Sequence, residues 1–300
     1  MRNYLIIAVL ALFAGYGCQN AKTGPQTTKL GNEFILHTAS TEGEEAVVGS
    51  FAYIHANIRN GDSIVFNTRD NGVPATAVQI LSDSLGADRV GPVEDALRGR
   101  RVGDSLTVIF RIDTLDQKPP GFENADAIYY DIVVEEIVSE SEFNNRREAE
   151  QAEIQAQTDA VIAREPEMLA MVAATQKAYQ AGTLEDIQTT DSGLKYVIHE
   201  PGTGEQAVAG KGVTVQYVGY LAENGNVFDQ SFRRGQGISF PLGQRRVIAG
   251  WDEGIALLKE GGSATLIIPS ELGYGATGTG DGSIPPNAEI MFYVELEEVN

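Results

Sequence analysis

Trp251 is the only tryptophan among the 300 residues of the chain, and its position is unusual for so large an apolar side chain. It follows Gly250, which suits a turn. It precedes Asp252 and Glu253, whose charges suit the first turn of a helix, where the dipole is positive. The indole therefore lies at a predicted turn-to-helix junction. A ring placed there either completes a core or lines a cavity, and residue type alone leaves both open.

Other patterns that could carry catalysis lack residues that the chemistry needs. The glycine-rich run at residues 273–282 does not end in the Gly-Lys-Ser/Thr of a phosphate-binding loop. His37, His55 and His199 are far apart and have no carboxylates at the spacing of a metal site. No Gly-x-Ser-x-Gly nucleophile elbow occurs. We therefore expect no metal, no cofactor and no covalent intermediate.

Composition narrows the class of partner. The chain has 42 acidic and 22 basic residues and a formal net charge of −20, which argues against nucleic acid as a ligand. The hydrophobic fraction of 42% is enough to build cores, and the length predicts about two domains.

Residues 1–30 are typical of an export signal followed by a tether. Arg2 precedes an apolar run, residues 4–13, that is too short to span a bilayer comfortably. Cys18 is the only cysteine, which excludes an intramolecular disulfide, and its position resembles the acceptor cysteine of a bacterial lipoprotein. We expect a lipid anchor on Cys18 rather than plain cleavage of the signal, with retention in the outer membrane facing the periplasm.

Three sequence blocks recur in the same order with a nearly constant shift. The pairs are residues 51–61 with 215–225, 93–110 with 252–269, and 127–137 with 289–299. The first pair aligns Tyr53 with Tyr217. Each copy contains β-rich runs and a segment too short for more than two helical turns. The repeat predicts two copies of one α+β fold, an antiparallel sheet around a short helix.

Residues 139–187 between the copies have a different character. Residues 141–163 contain no glycine or proline and are rich in Glu, Gln and Ala, which predicts a helix. Pro166 fits the first turn of a second helix that runs to about Ala181. Two interpretations stay open for this segment. It is a solvated spacer, or it is a dimerisation or partner surface supplied by Met168, Met171 and Val172.

Motifs in residues 193–299 resemble the FKBP family of peptidyl-prolyl cis-trans isomerases. They are VQYVG, VFDQS, ISFPLG, VIAGW, GYGATG, SIPP and MFYVE. The resemblance implies two FKBP-like domains, each a twisted antiparallel sheet around a short helix, joined by a helical spacer. The expected boundaries are 1–30 for signal and tether, 31–138 for a degenerate FKBP-like domain, 139–187 for the linker and 188–300 for the isomerase domain.

The resemblance also implies a shallow apolar pocket and the residues that form it. Four residues are implied in catalysis: Tyr217, Asp229, Ile248 and Tyr274. Seven are implied in substrate binding: Phe228, Ile238, Phe240, Val247, Trp251, Ile284 and Phe292. Trp251 would form the floor under the substrate proline. The backbone N–H of Ile248 and the hydroxyl of Tyr274 would hold substrate carbonyl groups, and Asp229 would accept a hydrogen bond from Tyr217.

The first copy departs from this pattern. The alignment puts Pro92 in place of Trp251 and Asn67 in place of Asp229, and the GYGATG loop has no counterpart. We therefore expect a folded, non-catalytic domain that binds client chains or orients the active domain.

Basic residues are few in the second copy. Beyond Gly212 they are Arg233, Arg234, Arg245, Arg246 and Lys259. The resemblance implies that Arg234 pairs with Asp229. We expect the remaining arginines to favour acidic residues next to the substrate proline.

Together these features predict an exported prolyl isomerase that assists protein folding. Its partners would be proline-containing polypeptides and macrolide inhibitors, with a lipid anchor, no nucleic acid, and a homodimer through the helical linker. The alternative is a non-catalytic chaperone or scaffold lipoprotein of a cell-envelope machine. The combination of Tyr217, Asp229, Trp251 and Tyr274 favours the enzyme.

Overall fold

The computed structural model describes residues 19–20 and 24–300, so the predicted signal and the lipidation site Cys18 lie outside the described residues. The chain divides into two compact units, residues 1–149 and residues 150–300. Each unit contains an antiparallel sheet and a short helix, which confirms the predicted α+β fold class. Within the described ranges, no helix is both long and apolar enough to cross a membrane.

The described part of the first unit forms an eight-stranded sheet. Its strands are β1 (Gln19–Asn20), β2 (Gln26–Thr27), β3 (Glu33–Ala39), β4 (Phe51–Asn60), β5 (Ser63–Asn67), β6 (Thr76–Gln79), β7 (Ser105–Arg111) and β8 (Ala127–Val138). The order is β1-β3-β7-β8-β4-β5, with β2 paired to β3 and β6 paired to β4. The short helix α1 (Pro92–Leu97) buries Ala96 and Leu97 in the core of this unit.

Two helices follow the first sheet. Helix α2 spans Glu140–Ala163 and buries none of its residues. Helix α3 spans Glu165–Gln180, so Pro166 lies in its first turn, as predicted. Proline suits this first turn because its missing N–H would have had no partner inside the helix.

The second unit has a seven-stranded sheet. Its strands are β9 (Gln188–Thr189), β10 (Lys195–Glu200), β11 (Gly212–Leu221), β12 (Val227–Gln230), β13 (Ile238–Pro241), β14 (Ser263–Ile268) and β15 (Ile290–Val299). The order is β12-β11-β15-β14-β10-β9, with β13 paired to β11. Helix α4 (Ala249–Ile255) carries Trp251 and packs against the sheet.

The two sheets share one strand order, which confirms the repeat that the sequence predicts. Read along the sheet, β3-β7-β8-β4-β5 in the first unit matches β10-β14-β15-β11-β12 in the second. The additional strands match as well, because β6 pairs with β4 as β13 pairs with β11. Both units are therefore copies of one topology, each with a short helix before its β7 or β14 strand.

The sequence alignment of Tyr53 with Tyr217 is wrong by three residues. In the first unit the β4–β8 register shifts directly after Tyr53, and in the second the β11–β15 register shifts directly after Thr214. Tyr53 therefore corresponds to Thr214, and the residue that corresponds to Tyr217 is Ala56. The alignment matched similar side chains, whereas the equivalence is set by a β-bulge that side-chain type does not reveal.

Helix α3 covers one face of the second sheet. Met168 and Val172 are 6% and 2% exposed, and they pack in a cluster with Tyr220 and Tyr293. Arg164, just before the helix, donates to the carboxylate of Glu295 at 3.0 Å. Met168 and Val172 are therefore core residues of this unit and not the predicted dimerisation or partner surface, and Met171, predicted with them, packs partly buried against the same cluster.

Two glycines allow helix α4 to approach strand β14. A β-carbon on Gly250 would lie 2.6 Å from the side chain of Ile268, and one on Gly254 would lie 2.6 Å from that of Leu266. Contacts this short do not occur for real β-carbons, so with any other residue at either position the helix or the contacted side chain would have to shift. This close approach holds Trp251, which lies between the two glycines, against the aromatic residues of the sheet.

Candidate active site

A cavity of about 400 Å³ lies beside helix α4 in the second unit. Its walls are formed by Tyr217, Phe228, Asp229, Ile238, Arg246, Val247, Ile248, Trp251, Tyr274 and Phe292. Nine of these ten were predicted as site residues, and they come from six separate stretches of the sequence. The fold therefore brings most of the predicted set to one place.

Trp251 both completes the core and lines the cavity. Its side chain is 3% exposed. The ring of Tyr217 meets the indole edge to face at 5.1 Å between centroids and 80° between planes, and Phe292 does so at 5.1 Å and 85°. Perpendicular contacts of this kind are a preferred arrangement of aromatic pairs and fix the orientation of the indole. The sequence left open whether the indole belongs to the core or lines a cavity, and in the structure it does both.

Gly219 on β11 makes room for the aromatic wall. It lies directly opposite Phe292 on β15 and opposite Asp229 on β12. A β-carbon at Gly219 would approach the ring of Phe292 to 2.5 Å and that of Phe228 to 2.6 Å. The two phenylalanine rings meet at 5.5 Å and 81° over this position. The absence of a side chain is what allows that contact.

A hydrogen-bonded group of three residues forms the polar wall. The hydroxyl of Tyr217 donates to Asp229, and Arg234 donates both to Asp229 at 2.9 Å and to the Tyr217 oxygen at 2.7 Å. The backbone N–H of Gln230 also donates to Asp229, at 2.8 Å. The carboxylate is therefore held in one orientation at the side of the cavity. The pair of Arg234 and Asp229 agrees with what the family resemblance implies.

These contacts shift two pKa values in opposite directions. Burial, followed by the hydrogen bond to Asp229, raises the pKa of Tyr217 to about 12. Burial alone would raise the pKa of Asp229, but hydrogen bonds from Tyr217 and Arg234 outweigh it, and the pKa lies below its ordinary value. At neutral pH the wall therefore consists of a neutral phenol, a carboxylate and a guanidinium.

The backbone N–H of Ile248 and the hydroxyl of Tyr274 lie at the cavity without a hydrogen-bond partner among the described residues. Ile248 precedes α4 with extended backbone, φ −61° and ψ 151°, and its carbonyl accepts from the N–H of Trp251 and of Asp252 while its own N–H donates to no described residue. The hydroxyl of Tyr274 likewise has no described partner, and its side chain is 38% exposed. Burial, with the nearby charge of Asp229, raises the pKa of Tyr274 and keeps it a donor.

The loop that carries Arg246 and Val247 is anchored by the first turn of α4. Asp252 accepts from the backbone N–H of Gly243 at 2.8 Å and of Arg245 at 3.1 Å. Arg245 has a φ of +57°, a left-handed conformation that is uncommon outside glycine. The carboxylate of Asp252 thus compensates for a strained turn that leads directly into the cavity wall.

Two predicted substrate contacts are not part of the cavity wall. Phe240 is 8% exposed and packs on the indole of Trp251 at 5.9 Å, so it supports the floor from within the core. Ile284 is 2% exposed and belongs to the same core cluster. Its N–H donates to the Thr279 hydroxyl and its carbonyl accepts from the Thr279 N–H, which ties the long loop to the core.

One wall residue, Arg246, was predicted only as one of the arginines that favour acidic residues next to the substrate proline, and not as part of the cavity wall. The structure separates it from the other arginines, because Arg233 pairs with Glu165 at 3.1 Å and Arg234 pairs with Asp229. Arg246 forms no ion pair with any described residue and lines the cavity. Its position directly before the VIAGW motif was the available signal.

The corresponding place in the first unit has a different lining. Ala56 corresponds to Tyr217, since its N–H donates to the Thr68 hydroxyl at 3.1 Å as that of Tyr217 donates to Ser231 at 2.7 Å. Counting back two residues from Thr68 and two from Ser231 along the matched strands places Phe66, not the predicted Asn67, where Asp229 stands.

The helix position also differs by one residue from the sequence alignment. The N–H of Ala46 donates to the carbonyl of Arg100, as that of Ala207 donates to Leu258, so Arg100 corresponds to Leu258. Seven residues earlier, Val93 rather than Pro92 corresponds to Trp251. The first unit therefore has neither the indole nor the phenol and carboxylate of the cavity.

Comparison with known proteins identifies the family. FKBP-type peptidyl-prolyl cis-trans isomerases match residues 203–297. An FK506-binding protein of Neisseria meningitidis is 53% identical over 100 residues, which are 33% of this chain and 90% of the relative. A probable FKBP-type peptidyl-prolyl cis-trans isomerase of Haemophilus influenzae is 47% identical over 116 residues, 39% of this chain and 46% of the relative. The crystal structure of FkpA from Escherichia coli is 34% identical, with 54% of this chain and 74% of that chain covered and a TM-score of 0.37.

The chain belongs to the FKBP-type peptidyl-prolyl cis-trans isomerases. It is an enzyme that catalyses rotation about Xaa-Pro bonds in proline-containing polypeptides, as the sequence predicted. The matched residues lie in the second unit, the one that contains the aromatic cavity.

Proposed function

We propose that the cavity around Trp251 is where this chain isomerises Xaa-Pro bonds, and that its substrates are exported proteins in the course of folding. The proposal rests on the combination of an aromatic floor and hydrogen-bond donors without described partners at this cavity. Aromatic rings form its floor, and two donors without described partners, the N–H of Ile248 and the hydroxyl of Tyr274, lie at its walls.

An apolar cavity suits this reaction because no bond has to be made or broken. Rotation about the peptide bond breaks amide resonance and meets a barrier of about 18–20 kcal/mol, so spontaneous exchange takes tens of seconds or longer. The planar imide is more dipolar than the twisted one. A floor formed by Trp251 and Phe292 therefore disfavours the planar ground state more than the transition state.

The polar groups act on the substrate carbonyls. The N–H of Ile248 and the hydroxyl of Tyr274 donate to carbonyl oxygens of the twisted substrate, which orients it without changing its covalent structure. Asp229 is held by Tyr217 and Arg234 and places a fixed negative charge beside the rotating bond. Neither a nucleophile nor a metal enters these steps.

A protease-free assay on a short Xaa-Pro peptide tests the proposal. In Trp251→Ala we expect kcat/KM to fall on the order of 100-fold because the floor is lost, and in Asp229→Leu by about tenfold, or 1.4 kcal/mol. Val93→Ala, at the corresponding position of the first unit, is the matched control and keeps the wild-type rate. Circular dichroism verifies that each variant is folded. Wild-type activity in folded Trp251→Ala contradicts the proposal.

We further propose that Arg246 gives the site a preference for acidic residues next to the proline. Of the four arginines after Gly212, Arg246 alone lines the cavity without an ion pair to a described residue. An exposed pair of this kind contributes about 0.2–1 kcal/mol, a preference of up to about fivefold. Arg246→Gln should abolish the difference between Glu-flanked and Lys-flanked peptides at low salt, while Arg245→Gln, the exposed neighbour, retains it. Equal rates for both peptides with the wild-type chain refute the preference.

For the cellular role, we propose a lipoprotein anchored through Cys18 in the outer membrane and facing the periplasm. The support is the apolar run and single cysteine of residues 1–18. Labelled fatty acid should enter the wild-type protein and be absent from Cys18→Ser, which should leave the membrane fraction. Because relatives carry the name FK506-binding protein, we also propose that this macrolide competes with peptide at the cavity.

For the first unit, we propose a non-catalytic role in holding clients or orienting the active unit. The support is the replacement of the catalytic set by Ala56, Phe66 and Val93. Isomerase activity in a fragment of residues 25–140 refutes it. A homodimer through the linker remains part of the proposal and involves α2, where Ile154 is 57% exposed. Its test is the mass of the full chain in solution, compared with Ile154→Glu.

A further inference from the structure

A second cavity, of about 510 Å³, lies in the first unit beside the end of α1. Phe34 forms part of its wall, together with Val47 and Val48, which are 54% and 56% exposed. This is a different place from the isomerase cavity of the second unit, because Ala56 and Val93, the counterparts of Tyr217 and Trp251, do not line it. The first unit thus has a cavity of its own, with an apolar rim.

Arg100 is the unusual residue of this cavity. It corresponds to Leu258, which is fully buried in the core of the second unit. The guanidinium carbon lies 5.3 Å from the centroid of the Phe34 ring, within range of a cation–π contact. Its Nε atom is shielded from solvent and has no hydrogen-bond partner among the described residues. A shielded polar atom of a charged group is costly unless something pairs with the group.

The other charged groups at this cavity already have partners. The pairs are Lys29 with Asp83 at 3.1 Å, Arg98 with Asp95 at 2.9 Å, and Glu45 with Arg101. Asp95 is buried and also accepts from Asn32 at 2.9 Å. Within the described part of the chain, Arg100 is therefore the cavity cation that lacks a carboxylate partner.

We propose that this cavity binds a polypeptide segment in which an acidic side chain lies next to aliphatic ones. The planar guanidinium of Arg100 suits a carboxylate, which accepts two parallel N–H donors. Val47, Val48 and the ring of Phe34 offer apolar surface to the flanking side chains. This assignment rests on the proposed role of the first unit in holding clients and gives that role a site and a ligand chemistry.

Fluorescence anisotropy on the full chain tests the assignment. The probe is a labelled, proline-free peptide of alternating Leu and Val with one central Glu, and matched peptides carry Gln or Lys there. Arg100→Gln should weaken binding of the Glu peptide about tenfold and leave the Gln peptide unaffected. Arg89→Gln is the control, because Arg89 is exposed in the same unit and does not line the cavity. Raising the salt concentration should reduce the preference of the wild-type chain for Glu.

The outcomes separate this inference from the proposed enzyme activity. Equal affinity of the wild-type chain for the Glu and Lys peptides overturns the site, as does unchanged affinity in Arg100→Gln or absence of binding to all three peptides. Arg100→Lys keeps the charge without the planar fork and should recover part of the lost affinity. The isomerase rate of the same wild-type preparation on an Xaa-Pro peptide is read in parallel, so loss of catalysis and loss of binding are separate results.

Discussion

Where strand β11 of the second unit carries Gly219 opposite Phe292, strand β4 of the first unit carries Ile58 opposite Tyr130. The strands pair in the same order in both units, yet one position is empty of side chain and the other is filled. In the second unit the empty position receives the ring of Phe228, and a cavity forms beside it. One topology can therefore have or lack this aromatic cavity, depending on a few side chains.

The sheet face opposite the site shows the same contrast. Both units keep a histidine–threonine hydrogen bond between matching strands, His37 with Thr107 at 2.7 Å and His199 with Thr265 at 2.8 Å. Next to it, the first unit has Asp131, which accepts from Arg59 at 2.9 Å. The second unit has Tyr293 at that position, and α3 covers it. A polar sheet face can remain in contact with water, whereas an apolar sheet face must be buried, here by a helix.

The largest expected effect comes from giving the second unit the residue of the first. Gly219→Ile should lower kcat/KM on the order of 100-fold, because the new side chain would occupy the space of Phe228 and Phe292 and distort the cavity. The protease-free peptide assay measures it, with near-UV circular dichroism to verify folding. Ile58→Val in the first unit is the control, and its rate should equal wild type. A folded Gly219→Ile chain with wild-type activity would show that catalysis does not require a glycine at this position.

Removing the cover of the second sheet should destabilise that unit. Met168→Ala deletes a side chain that is 6% exposed, and we expect a loss of about 2–5 kcal/mol in the free energy of unfolding. Denaturant titration followed by Trp251 emission reports on the second unit, where that residue lies. Ile154→Ala on α2, 57% exposed, should change stability by less than about 0.5 kcal/mol. Equal effects of both substitutions would show that α3 does not stabilise the sheet.

A smaller effect on activity and stability is expected from the loop before α4, which is anchored by Asp252. Among the described contacts, no side chain caps the N-terminus of α1 at Gly91 in the same way. Asp252→Ala leaves the N–H groups of Gly243 and Arg245 without their carboxylate, so KM should rise several-fold and stability fall by about 1–2 kcal/mol. Glu271→Ala, an exposed carboxylate of the same unit, serves as control. Unchanged KM in Asp252→Ala would mean that the loop holds its conformation without this anchor.

The smallest effect concerns pH. The folded-state pKa of Asp229 lies below its ordinary value, so its stabilising contribution is present above the unfolded pKa of about 3.9 and is lost as pH falls through the lower folded-state pKa. Because its pair with Arg234 is about half exposed, Asp229→Asn should cost less than about 1 kcal/mol at neutral pH. The difference from wild type should vanish in acid. If the stability difference between Asp229→Asn and wild type grew as the pH fell, the predicted direction of the Asp229 pKa shift would be wrong.

The sequence predicted much of this architecture, and its failures have physical causes. Nine wall residues were found because their motifs are short and contiguous, and strand pairing then brings the motifs together. The alignment of Tyr53 failed because a bulge changes register without changing residue types. Ile284 lies in the core rather than in the cavity wall because loop conformation decides which side chain turns inward, and composition carries no information on that.

The most direct test of the central claim uses the single tryptophan of the chain. Titrating the wild-type protein with a short Xaa-Pro peptide should change the emission of Trp251, because the proposed mode of binding places the substrate proline against the indole. The account predicts a midpoint equal to the inhibition constant of the same peptide in the isomerase assay. Saturable inhibition without any change in the emission of Trp251 would show that catalysis takes place away from this cavity.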